Sequence, residues 1–162
     1  MKRPALFAVF SLAIAALTAC GTSDRGTTTP ATAATDTPAA RLPGPFHQLP
    51  VRYDGYYMAA REGVMYLVRF FPEGNAVLIN GMGTDPGDLP AKLVRDAVPD
   101  PLIGHYNVPV DVAGDSLFFT TTPRRGEIDH RGTFADAHTL RLERHSRITG
   151  HRMQLDYQFV QD

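Results

Sequence analysis

Cysteine occurs once in the 162 residues, at position 20. The chain therefore cannot close a disulfide within itself, and the thiol has no structural role to compete with other chemistry. An excess of charge of one sign is also missing: 16 Lys and Arg stand against 17 Asp and Glu. That balance excludes the basic stripe a nucleic acid requires, so no nucleic-acid partner is expected. No apolar run approaches the roughly 20 residues of a bilayer-spanning helix. The nucleophile-elbow pattern GxSxG, a glycine-rich phosphate loop and paired CxxC ligands are all lacking. These absences point away from an enzyme and away from a bound cofactor or metal.

What the sequence does contain is a strongly ordered N-terminus. Lys2 and Arg3 precede an almost wholly apolar stretch, residues 5–17, which is followed by small residues. Those are the three parts of a secretory signal, expected to occupy residues 1–19. At about 1.5 Å per residue the apolar stretch is shorter than the hydrocarbon core of a membrane, which favours a cleaved signal over a permanent anchor. Leu17-Thr18-Ala19-Cys20 resembles the lipobox of bacterial lipoproteins: a leucine, two small residues and then the cysteine. The resemblance implies that Cys20 becomes the first mature residue and carries lipid, with a diacylglyceryl group on its thiol and a palmitate-type acyl chain on its new amino group. It also implies attachment to the cell envelope. Gly21 rather than aspartate after the cysteine implies the outer membrane, facing the periplasm, where the host has one. Several acyl chains exceed the single chain that binds membranes only reversibly.

Behind Cys20, residues 21–40 are dominated by Thr, Ala, Pro, Gly, Ser and Asp, with no aromatic residue and no Leu, Ile or Val. Such a segment cannot bury enough apolar surface to offset its ordering entropy. We therefore expect a disordered tether over residues 20–49 and one folded domain over residues 50–162.

In that domain short runs rich in Tyr, Phe and Val alternate with Gly, Pro and Asp at intervals of about 8–12 residues, the pattern of an antiparallel sandwich or barrel. Eight strands are predicted, at 52–60, 64–71, 76–80, 103–112, 116–122, 127–134, 139–145 and 151–160. Tight turns join them, which favours an all-β, up-and-down antiparallel barrel with its edges closed. Between the third and fourth strands, Leu89, Leu93 and Ala97 fall on one helical face and predict a short helix over 90–98. It would plug one end of the barrel, or act as a lid. The meander, with Gly55-Tyr56-Tyr57 on its first strand, resembles the lipocalin-like and fatty-acid-binding group of small barrels. That group usually has tryptophan where Tyr57 stands, and this chain has none. The resemblance implies a barrel interior that binds a small apolar or amphipathic molecule.

Strand parity sorts the polar residues. Met153, Leu155, Tyr157 and Phe159 share one face of the last strand, and Leu140 and Leu142 share one face of the strand before it. Pairing apolar to apolar sends Arg141, Glu143 and His145 outward, can set Arg141 against Asp156 or Glu143 against Arg152, and keeps His145 from lying opposite His151. His130 and His138 are expected to point inward; His47 and His105 are expected to face water. Asp129 and His130, adjacent on a strand, point to opposite faces and form no dyad. The candidate ligand-binding residues are accordingly Tyr57, Tyr66, Phe119, His130, His138 and Tyr157. Two readings remain: a tethered barrel that holds a ligand, or an envelope interaction or assembly module that acts through its barrel surface.

Overall fold

A computed structural model describes residues 44–162, all within the second of two compact units, Ala40–Asp162. The signal segment, Cys20 and most of the predicted tether lie outside the described residues. Nine strands form a single antiparallel sheet: β1 Gly55–Arg61, β2 Val64–Phe71, β3 Asn75–Met82, β4 Tyr106–Pro109, β5 Asp111–Ala113, β6 Ser116–Thr121, β7 Ile128–Phe134, β8 Thr139–Ser146 and β9 Arg152–Gln161. Their order is β4-β3-β2-β1-β9-β8-β7-β6-β5. The two edge strands, β4 and β5, are consecutive in the chain and separated only by Val110. That single residue brings the two edges together and curls the sheet into a nearly closed barrel.

The same residue explains why nine strands stand where eight were expected. Pro109 has no N–H to donate, and the Val110 N–H turns back to the Gly74 carbonyl at 2.9 Å instead of continuing a ladder. The predicted fourth strand therefore divides, one half pairing with β3 and the other with β6. Residues 103–105 belong to the preceding loop, where His105 bridges to Asp100.

Parity holds around the barrel. Tyr57, Val68, Phe70, Leu78, Leu117, Leu140, Leu142 and Leu155 fill the interior. On the outside, Arg141 stands opposite Asp156 with 3.0 Å between Nε and Oδ1, and Arg152 reaches Glu143 at 2.5 Å. His145 lies opposite Arg152, not His151. The β1–β2 connection is a two-residue turn in which Glu62 and Gly63 both have positive φ, 54° and 74°, the geometry that matches strand twist. Gly55 permits a close approach of strands: a Cβ there would meet the Val160 carbonyl oxygen at 2.1 Å.

The two ends of the barrel differ chemically. At one end Tyr57 is fully buried among Phe46, Phe70, Phe134 and Phe159, with ring centroids 5.1–5.9 Å from three of them in edge-on contacts. Phe46 touches Phe70 at 5.5 Å and is 1% exposed. The folded part therefore takes in residues 44–49, which were assigned to the tether. The Arg52 guanidinium covers this cluster, 4.0 Å from the Phe159 ring centroid.

The segment between β3 and β4 differs from expectation in form and in place. Only Pro90–Lys92 is helical, as a single 3₁₀ turn; Pro99, shortly beyond, opposes continuation of a helix. Leu93 and Ala97 do point one way, but they pack with Tyr56, Met65, Leu67, Val77 and Ile79. Those residues lie on the outer face of β1–β3, so the segment is a cover for that face and not an end plug. It leaves Met82, Val94, Val98, Leu102 and Ile103 exposed.

Candidate functional site

The six candidate ligand residues do not form one site. Tyr57 belongs to the aromatic end. Its hydroxyl donates to the Ala137 carbonyl and accepts from the Arg52 N–H, both at 3.1 Å, so its polar atom already has two partners. His138, expected inside, is exposed in the turn after β7; its N–H donates to the Asp136 carboxylate at 2.7 Å, and its ring meets the edge of Phe159. The turn breaks the two-residue period, so parity counted back from Leu140 does not apply.

Tyr66, Phe119, His130 and Tyr157 cluster in the other half of the interior. His130 is 4% exposed and stacks on Phe119 with centroids 4.5 Å apart and planes 14° from parallel. Its Nε2 lies 3.0 Å from the Thr121 hydroxyl, while its Nδ1 is buried without a partner. Burial first, and the charge of Arg144 second, push its pKa down to about 3, so the ring is neutral at physiological pH. Burial likewise pushes the Tyr157 hydroxyl up, leaving it protonated. The space enclosed by Tyr66, His130, Arg144 and Tyr157 is only about 10 Å³, the size of one water molecule.

A much larger concavity lies outside. A groove of about 550 Å³ crosses the outer face from Asp111 and Phe118 to Arg152, within the range of small-molecule sites. Sheet register lays out its floor in two rows. Thr120, Asp129, His145 and Arg152 are successive partners across β6–β9, and beside them run Phe118, Arg131, Glu143 and Gln154. Charges of opposite sign thus alternate along and between the rows. Arg147 pairs with Asp129 and Glu127 and holds the Asp129 carboxyl below the usual carboxylate range. The Arg131 guanidinium lies 5.7 Å from the Phe118 ring centroid, giving the groove an apolar surface at one side.

No family model, curated protein or solved structure matches this chain. Function must therefore be argued from its own chemistry. Among the described residues no three His, Cys, Asp or Glu side chains gather as metal ligands, and no helix is long and apolar enough to cross a membrane.

His105 also departs from expectation. It is 8% exposed, and its Nε2–H donates to the Lys92 carbonyl at 3.1 Å, pinning the cover segment to the start of β4. The groove had not been singled out from the sequence. Its signal was nevertheless present in the outward parity of Asp129, Glu143 and Arg152.

Proposed function

We propose that this chain is a non-enzymatic, lipid-anchored envelope protein whose small barrel binds an amphipathic ligand in its outer groove. The anchor rests on Leu17-Thr18-Ala19-Cys20 and the export signal before it. The binding mode rests on one contrast: about 10 Å³ of space among Tyr66, His130 and Tyr157 in the interior, and about 130 Å³ at its mouth, against about 550 Å³ across β5–β9. A ligand with both charges and an apolar part would match the alternating rows and the Phe118–Arg131 surface.

The anchor is tested by replacing Cys20→Ser. The variant should stay unprocessed and take up no radiolabelled palmitate; label entering it would overturn the lipoprotein reading. The groove is tested by native mass spectrometry of protein extracted from the host envelope. A bound small molecule is expected, and the double change Phe118→Ala with Glu143→Gln should lower its retention at least tenfold. Equal retention would sink the groove assignment.

A second reading, an assembly module, is favoured by the exposed Val94, Val98, Leu102 and Ile103 of the cover segment, because exposed apolar side chains grouped in one segment mark contact surfaces. Recovery of the protein in a complex that Val98→Asp disrupts, with no small molecule bound, would select it.

A further inference from the structure

Among the described residues, Arg144 is the one Lys or Arg on a strand that points into the barrel. The alternation that sends Leu140 and Leu142 inward sends Arg144 the same way, and sheet pairing sets it between His130 on β7 and Met153 on β9. Its Nε is fully buried and has no hydrogen-bond partner. A guanidinium carries five N–H donors and no acceptor, and among the described residues none of them meets an acceptor or a carboxylate.

No Asp or Glu occupies an inward position on any of the nine strands. Asp129, next to His130 in the chain, points out to Thr120 and Arg147. The Tyr66 ring, 5.0 Å from the guanidinium carbon, supports one face of the cation but accepts no in-plane hydrogen bond. Arg144 is part-buried, and its Nε–H is withdrawn from water with no acceptor; a buried donor left unmet is costly, and buried polar groups are as a rule hydrogen-bonded.

The surroundings give the missing partner room and access. Arg144 borders two spaces at once. One is the narrow space shared with His130, Tyr66 and Tyr157. The other is a cleft of about 130 Å³, lined by Ile128, Arg144, Ser146, His151 and Met153 and open to solvent. Ile128, Arg144, Ser146 and Met153 share the inner face at the barrel end away from Tyr57, and His151 stands in the loop just before β9, so the cleft is the mouth of the barrel. It combines a guanidinium fork, a serine hydroxyl and an imidazole with two apolar side chains at the rim.

We propose that this mouth is a binding site for a small oxyanion, a carboxylate or phosphate group held by the guanidinium of Arg144. Planar oxyanions match the guanidinium fork in geometry as well as charge. The site is separate from the outer groove and does not depend on what the groove binds. A free ion and the head group of an amphiphile share this chemistry; in the second case the tail lies along Ile128 and Met153.

The test is thermal unfolding of the purified full-length protein at pH 7 in sodium phosphate, with sodium chloride of equal ionic strength as control. Phosphate should raise the midpoint by about 3–6 °C at tenfold excess over its dissociation constant. The rise should vanish in Arg144→Met, whose own midpoint in chloride should equal or exceed that of the unchanged protein, since an unpaired charge has been removed. No rise over chloride, or a rise that survives in Arg144→Met, overturns the site.

If Arg144→Met does not fold, the Arg144 Nε–H resonance of the unchanged protein carries the test. It should shift saturably with phosphate, and a resonance that does not move overturns the proposal. Acetate and octanoate added separately identify the source: equal dissociation constants assign a free ion, and tighter octanoate assigns an amphiphile.

Discussion

Replacing Tyr57→Ala is expected to lower the unfolding free energy by about 3–5 kcal/mol, the usual cost of deleting a buried aromatic ring. The side chain has no exposed surface and stands in edge contact with Phe70, Phe134 and Phe159. It touches β2, β7 and β9 from β1, so the cavity left behind opens on strands from both halves of the sheet. No single strand can shift to fill it. Since domains of this size are stable by about 5–15 kcal/mol in all, a large fraction of the molecules should unfold at moderate urea.

Tyr57→Phe separates the ring from its hydroxyl. It keeps the packing but strands the Arg52 N–H and the Ala137 carbonyl, at a cost of about 1–2 kcal/mol. Urea titrations read both, provided the slope with denaturant is unchanged. An alanine variant within about 1 kcal/mol of the original would show that the aromatic end does not hold the barrel together.

The second large effect is a loss of stability in mild acid that belongs to His130. In the unfolded chain the ring protonates near pH 6.5; in the folded barrel it stays neutral down to about pH 3. The unfolded state therefore binds the extra proton first, and the stability this group contributes is complete above about pH 6.5 and drains away as pH falls toward 3. At pH 4 the loss from this one group is about 3 kcal/mol, at 1.36 kcal/mol per unit.

Asp54, Asp129 and Asp136, whose carboxyls are held low by Arg52, Arg147 and the His138 N–H respectively, add their own losses as pH falls through the usual carboxylate range, from about pH 5 downward. The window between about pH 6.5 and 5 separates the histidine from these carboxylates. His130→Gln, which retains a polar group for Thr121 and cannot titrate, should flatten the profile there. Parallel profiles for the two proteins would mean that His130 charges freely inside the folded barrel.

The strands were legible in the sequence where apolar and polar residues alternate cleanly. Leu140 and Leu142 against Leu155 and Tyr157 fix the register of β8 and β9, and the Arg141–Asp156 pair follows from it. Legibility failed where parity was carried across irregular backbone. His138 sits in a turn and His105 in a loop, and neither obeys the count of the strand beside it.

The spacing of Leu89, Leu93 and Ala97 showed correctly that they share a destination but not which one. The missing signal was β2 itself, Val64–Phe71, whose apolar residues do not alternate because both faces are covered. Arg144 was legible by the rule that placed Leu142, and a charge on an apolar face is the kind of local inconsistency that marks function. Reading the groove needed the curvature of the sheet, which no periodicity encodes.

The position of β9 has a consequence in time. This strand is the last of the nine, yet it sits at the centre of the sheet, with β1 on one side and β8 on the other. The first four strands and the last five share no other seam apart from the step at Val110. Contacts that span so much sequence form slowly, and none of the seam can form before residues 152–161 are present. A chain threaded through a membrane from its N-terminus could pair its consecutive strands as they arrived, but it would close the β1–β9 seam only once its final strand had reached the far side.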